Sequence, residues 1–410
     1  MTSIATEPGA PQRLHALDAV RAGALLLGVA FHATLSFLPG PQFWVVRDVP
    51  SDALGNFFFV AHIFRMAAFF LIAGYFGRML LHRRGTAGFI RNRLVRITLP
   101  LLVFWPFLFA GIVACFIWGA GVTAAASGTP MPSGPPPALT AATFPLTHLW
   151  FLYVLTLFYA AALAIRGVVT LIDRSGWLRD GVIDRAMRAI TATPAAAPIL
   201  AAPLAFVFAT QATWFARGGI PTPDTGFVPN LTAVIGFGTA FGFGWLLQRQ
   251  PVLLGSIRRL WAVNLVVAVG LTAGCLALLG DSNGYAPFPA GGTRTALAAC
   301  YAVATWSWTL GLTGAALRFL TRERPAIRYV ADASYWIYLM HLPVVMALQV
   351  WVFAIPLPAL VKWAVVVGGA FLILIASYHL LVRHSWIGRW LNGRKLPWRK
   401  PAATMEMQPA

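Results

Sequence analysis

Ten apolar stretches of about twenty residues, each long enough to cross a ~30 Å hydrocarbon layer as a helix, dominate this chain of 410 residues. They lie near 16–38, 55–77, 97–119, 147–166, 197–216, 230–248, 261–280, 295–317, 330–353 and 359–382. Charged residues make up 10% of the chain, against about 25% in soluble domains. The expected fold class is therefore all-α, a polytopic integral membrane protein of about ten transmembrane helices.

A net charge of +19 would point to nucleic acid in a soluble chain, so the placement of the charges decides. With the N-terminus inside, twenty-six of the 31 Lys and Arg fall on the inner side. Arg47, Arg217, Arg294 and Lys362 fall outside, and Arg65 lies within the second span. This is the positive-inside pattern, which predicts two cytoplasmic termini and excludes nucleic acid as a partner. The chain then divides into a cytoplasmic segment 1–15, a transmembrane domain 16–382 and a basic cytoplasmic tail 383–410. Residues 1–15 carry no signal-peptide pattern, so the first span is expected to stay in the mature protein. Cys115, Cys275 and Cys300 all fall in spans and read as packing residues, with no disulfide framework or metal site expected.

Between the spans, the outer GTPMPSGPPP reads as an irregular loop over an entrance. Residues 167–190 read equally as an interfacial helix or a solvated connector. The glycines of GFGTAFGFG sit at membrane depth with no strand before them, so helix packing is expected rather than nucleotide binding. The Trp-rich basic tail suits the anionic inner leaflet. No internal repeat is evident, which weakens an inverted-repeat transporter reading.

Within the first span, Arg21 and His32 lie on one helix face, ~16 Å apart along the axis, with Asp18 and Gly28 on the same stripe. Ionisable groups in hydrocarbon cost about 2.5–3.5 kcal/mol or more, so they tend to line a pathway or a reaction site. The plainer alternative is an interfacial arginine and a histidine satisfied by a neighbouring helix. His62 and Arg65 share a face of the second span, His148 enters at the outer end of the fourth, and His341 lies near the middle of the ninth. Together they predict a polar cavity opening outward, although each histidine singly also fits a structural role. A carboxylate pair for glycoside hydrolysis and a Ser nucleophile elbow are both missing. Histidine is thus the expected base, with His32 favoured by its partner Arg21. On the inner side Arg78, Arg83, Arg84, Arg91, Arg93 and Arg96 cluster, either to set orientation or to dock a polyanion.

The segments LDAVRAGALLLGVAFH, FRMAAFFLIAGYF, RNRLVRITLP, HLWFLYVL and ASYWIYLMHLPV, in that order, resemble membrane acyltransferases of the acyltransferase-3 superfamily, nearest the glucans biosynthesis protein C group. Arg21 and His32 match its Arg-x10-His motif, and Arg93 and Arg96 its Arg-x-x-Arg motif, while Arg65, Trp150 and His341 fall in other matching segments. The resemblance implies transfer of an acyl group, succinyl favoured, from cytoplasmic acyl-CoA to sugar hydroxyls of a periplasmic glucan or other extracytoplasmic glycan, in a bacterial inner membrane. Succinyl-CoA or acetyl-CoA would serve as cosubstrate, with no permanently bound cofactor and no metal. On this reading His32, Arg65, His341 and His62 are catalytic, Arg65 and His341 as oxyanion donors. Arg21, Arg93, Arg96 and Asp18 bind the donor, and His148 and Trp150 bind the acceptor. Many members carry a soluble esterase-like domain after the last span, and this sequence has none there, which leaves the acceptor to the membrane domain. A transporter of a polar solute or proton, relaying through His32, His62 and His341, is the rival reading, and a homo-oligomer is left open.

Overall fold

The computed structural model describes residues 15–40, 43–128, 138–280, 287–288, 290–322 and 324–393. The segment 1–14, most of the Pro-rich outer loop and the tail beyond Gly393 lie outside the described residues. Regular structure is helical throughout: α1 (His15–Ala33), α2 (Asp52–Arg93), α3 (Leu99–Ser127), α4 (Trp150–Ile172), α5 (Asp184–Thr191), α6 (Ala196–Thr210) and α7 (Leu231–Leu247). Then follow α8 (Leu254–Arg259), α9 (Trp261–Leu279), α10 (Gly292–Phe319), α11 (Pro325–Phe353), α12 (Ala359–Ser377) and α13 (Trp386–Asn392). Among the described residues no strand forms, and an isolated antiparallel bridge joins Pro145 to Thr225.

Six helical stretches are long and apolar enough to cross a membrane, or eight if two sharply bent helix pairs each count as one span. One of the six, Asp52–Ser127, runs for 76 residues, or ~114 Å by helix rise, far more than one crossing needs. It breaks at Gly85, whose φ of 66° and ψ of 177° only glycine adopts readily, and loosens into a π-helical turn at Leu94–Thr98. Helix α10 is not among the six, and it buries the polar side chains Thr305, Ser307, Thr309 and Thr313. Its place is central, packed against α1, α2, α6, α8 and α9.

Close helix packing follows the glycines. A Cβ on Gly244 of α7 would strike the Leu71 carbonyl of α2, and one on Gly74 would strike the Phe241 carbonyl of α7. These backbones therefore touch, the contact that small residues permit between membrane helices. At the inner end, Arg249 closes on Asp184 at 2.6 Å and on Asp180 at 2.7 Å, which ties residues 177–191 to the turn after α7. The start of the tail turns back as α13, where Trp390 stacks on Phe104 and gives its Nε1 hydrogen to the Val95 carbonyl at 2.8 Å.

Lys362, read from sequence as an outer-loop charge, is only 3% exposed. Its ammonium lies 2.8 Å from Asp48 and 2.9 Å from the Phe353 carbonyl, so α12, the end of α11 and the loop after α1 are fastened together. A buried ion pair needs such full hydrogen bonding to offset desolvation.

The glycine contact makes a specific prediction. Gly244→Val should lower the thermal midpoint of detergent-solubilised protein, since overpacking costs about 1–3 kcal/mol or more, whereas Gly242→Ala, which meets open space, should not. Equal midpoints for the two variants would reject the backbone contact between α2 and α7.

Candidate active site

An α-helix leaves its last four carbonyls without helical donors, and in the bundle interior water is not there to satisfy them. In α1 those carbonyls surround His32, and each finds a donor from elsewhere. Trp363 Nε1 donates to Ala30 at 3.1 Å, and the Thr34 hydroxyl donates to Phe31 at 2.6 Å. The buried Gln349 amide donates to His32 at 3.2 Å and Ala33 at 3.1 Å, while its own oxygen accepts from Trp44 Nε1 at 2.9 Å. The end of α1 is thereby held in place by α11 and α12.

The histidines then assemble around it. His32 Nδ1 lies 2.8 Å from the Gly28 carbonyl and 3.0 Å from His341 Nε2, and His341 Nδ1 lies 2.6 Å from the Tyr338 carbonyl. Carbonyl oxygens only accept, so both Nδ1 atoms carry hydrogens, and His341 Nε2 accepts from His32. This tautomer leaves His32 Nε2 with its lone pair available. His148, ahead of α4, donates its Nε2 hydrogen to the Leu339 carbonyl at 2.9 Å, with its ring centroid 5.1 Å from that of His341. Since the His341 hydrogen is committed to Tyr338, its ring faces His32 as an acceptor and has no N–H there for an oxyanion.

Arg65 of α2 lies with its guanidinium carbon 4.3 Å over the Phe31 ring, and its Nε is buried without a hydrogen-bond partner. Room for it comes from Gly28, where a Cβ would stand 2.7 Å from Arg65 Nη1. His62 packs edge-on against Phe31 and Phe58, its Nδ1 likewise buried without a partner. Phe31, His32, His62, Arg65, His148 and His341, together with Trp150, line one cavity of about 60 Å³ that has no carboxylate in its wall among the described residues.

A larger cavity of about 590 Å³ lies at the end of the bundle where α1 begins, the end read from sequence as inner, and takes in Asp18, Arg21, Arg83, Arg93 and Arg96. Asp18 pairs with Arg21 at 3.2 Å. Arg93 donates to the Tyr159 hydroxyl at 3.2 Å and to Asn92 at 2.8 Å, while its Nε is buried without a partner. The structure thus separates the residues singled out from sequence into two groups. Asp18, Arg21, Arg93 and Arg96 share the inner cavity, whereas His32, His62, Arg65, His148, Trp150 and His341 share the small one. Leu25, Phe69, Phe151 and Tyr338 belong to both linings and form a common wall. Of the inner arginine cluster, Arg78, Arg84 and Arg91 do not line the inner cavity.

Sequence reasoning passed over Tyr338 and Gln349. Gln349 left a usable signal, a lone amide in an apolar stretch of α11. Tyr338 left none, because only the meeting of helices makes it a wall.

An acyltransferase domain family matches residues 14–382 of the chain. Glucans biosynthesis protein C from Escherichia coli strains of the UPEC, APEC and ETEC types is 36% identical over 149 residues. That match covers 36% of this chain and 37% of each relative, so the chain aligns with little more than a third of their length. No solved structure matches.

The contact between Gly28 and Arg65 is testable. Gly28→Ala should leave the thermal midpoint nearly unchanged, because a flexible side chain can move aside, yet reduce turnover by roughly 10²-fold through the displaced cation. Wild-type turnover in this variant would remove Arg65 from the site.

Proposed function

The chain belongs to the acyltransferase-3 family, and on that premise we propose that it moves a short acyl group, succinyl favoured, from cytoplasmic acyl-CoA to a sugar hydroxyl of a periplasmic glucan. The observation that carries this reading is the pair of abutting cavities, arginine-lined toward the inner side and histidine-lined beyond a shared four-residue wall. It is a multi-pass membrane acyltransferase. Ten spans with both termini inside, in a bacterial inner membrane, fit the basic-residue asymmetry and the ten helical segments that coincide with the apolar stretches. On this arrangement the transmembrane domain is 16–382, with residues 1–15 and 383–410 on the cytoplasmic side.

Guanidinium groups grip phosphates bidentately, which suits Arg21, Arg83, Arg93 and Arg96 to the phosphates of coenzyme A. A cavity of about 590 Å³ lies within the usual range for cofactor-sized ligands. The pantetheine arm would pass the wall of Leu25, Phe69, Phe151 and Tyr338 and place its thioester beside His32. At 10–15 Å³ per water-sized group, the small cavity holds roughly four to six such groups. That volume suits an acetyl group, whereas succinyl has more non-hydrogen atoms than the cavity holds and requires it to widen, and a fatty acyl chain requires far more.

His32 Nε2 takes the proton of the acceptor hydroxyl, and the oxygen attacks the thioester carbonyl. Collapse of the tetrahedral intermediate forms the ester and expels the coenzyme A thiolate, which recovers the proton from His32. The Gly28 carbonyl and His341 Nε2 both accept from His32 Nδ1 and so stabilise the transient imidazolium. His341 is accordingly an orienting acceptor, which leaves Arg65 to meet either the acyl carboxylate or the oxyanion. His62, His148 and Trp150 face the acceptor. Family membership favours this enzyme over a transporter using the same histidines.

Purified protein given acetyl-, succinyl- and butyryl-CoA with a glucan should yield an esterified glucan detectable by its mass. His32→Ala should lower the rate by about 10²–10⁴-fold with donor binding retained. Full turnover in that variant would overturn the mechanism.

Arg65 separates the acyl groups. A succinyl carboxylate entering the membrane carries a desolvation cost unless a fixed cation meets it. Arg65→Met should therefore lose succinyl transfer while gaining relative activity with butyryl-CoA. Equal loss with both donors would reject carboxylate recognition and leave Arg65 with the oxyanion.

A further inference from the structure

Helix α11 carries a proline, Pro343, in its interior. Proline has no N–H, so the carbonyl one turn back, that of Leu339, loses its helical donor. A buried carbonyl has to be satisfied by some other group. Here that group is His148, whose Nε2 hydrogen reaches the Leu339 oxygen at 2.9 Å. The latch is reciprocal, because the Tyr338 hydroxyl donates to the His148 carbonyl at 2.8 Å. Immediately before His148, Thr147 is held at a φ of 53°, a conformation that a β-branched residue seldom adopts, and its N–H bonds the Asp224 carbonyl at 3.2 Å.

We propose that Pro343 is a positioning residue for acyl transfer: by withholding a backbone donor it frees the Leu339 carbonyl to fix the ring orientation and tautomer of His148. With its hydrogen on Nε2, His148 keeps Nδ1 as an acceptor, at present 3.5 Å from the Thr147 hydroxyl, which the incoming hydroxyl would displace. On the reading that His148 faces the acyl acceptor, this nitrogen receives a hydrogen bond from the sugar hydroxyl and orients it. The device has no polar side chain of its own. It acts through an absence in the backbone, which a search for polar residues does not detect.

Two substitutions at one position separate the missing donor from the ring. Pro343→Ala restores an N–H that competes with His148 for the Leu339 oxygen. Replacing Pro343 by ester-linked lactic acid removes the ring but supplies no N–H. Nitrogen-15 shifts of the His148 ring should show the Nε2–H tautomer in wild type and the lactate form, and a mixture in Pro343→Ala. The acceptor kcat/KM should fall about tenfold in Pro343→Ala, the size of one hydrogen bond, with donor KM unchanged, and stay near wild type in the lactate form. Equal behaviour of the two forms, whether both impaired or both normal, would overturn the proposal. Should His148→Phe keep full activity, the acceptor role of His148 would fail, while the nitrogen-15 shifts would still decide whether Pro343 sets its tautomer.

Discussion

Hydrocarbon offers no partner to a polar group, so each N–H, carbonyl and charge drawn inside the bundle has to be satisfied by the protein itself. That requirement organises the site. The carbonyls at the end of α1 draw in Trp363 from α12 and Gln349 from α11, and the same pairings set where His32 stands. The carbonyls of Gly28, Tyr338 and Leu339 then each claim one imidazole hydrogen. The tautomers of His32, His341 and His148 are consequences of backbone satisfaction. In a soluble enzyme a buried carboxylate usually orients an active-site histidine; here a second histidine and the helix backbone orient His32.

Much of this was legible in the sequence, and the limit is physical. The 3.6-residue period assigns side chains to a face, so the stripe of Asp18, Arg21, Gly28 and His32 could be read before any neighbour was known. The glycines of α7 signalled close packing, and Gly244 and Gly74 show where it occurs. A period does not say which helix lies opposite a face. For that reason Tyr338 as a shared wall, Gln349 as a cap on α1 and the burial of Lys362 against Asp48 emerged only from the fold. His341 illustrates the same limit at atomic scale. Its depth could be estimated from rise per residue, but the direction of its N–H depends on the Tyr338 carbonyl.

The two cavities also differ in how their charges are met. In the inner one Asp18 accompanies Arg21, and Arg93 has neutral partners in Tyr159 and Asn92. Such surroundings hold the guanidinium groups in place while leaving donors for an anionic ligand. Under the proposed function that partial satisfaction would let the phosphates of the donor enter and leave.

Arg65 sits under a stricter condition. Among the described residues the wall of its cavity holds no carboxylate, and the Phe31 ring offers only a cation–π contact, worth about 2 kcal/mol when desolvated. Removing a guanidinium from water costs several kilocalories per mole even after relaxation, more than that contact returns. The site is therefore electrostatically incomplete by itself, and under the proposed function a substrate carboxylate or a developing oxyanion would supply what is missing. An acetyl group brings that charge only at the tetrahedral intermediate, whereas succinyl brings one on binding. If Arg65 meets the carboxylate, it contributes to ground-state affinity. If it meets the oxyanion, its contribution is confined to the transition state and accelerates the reaction directly.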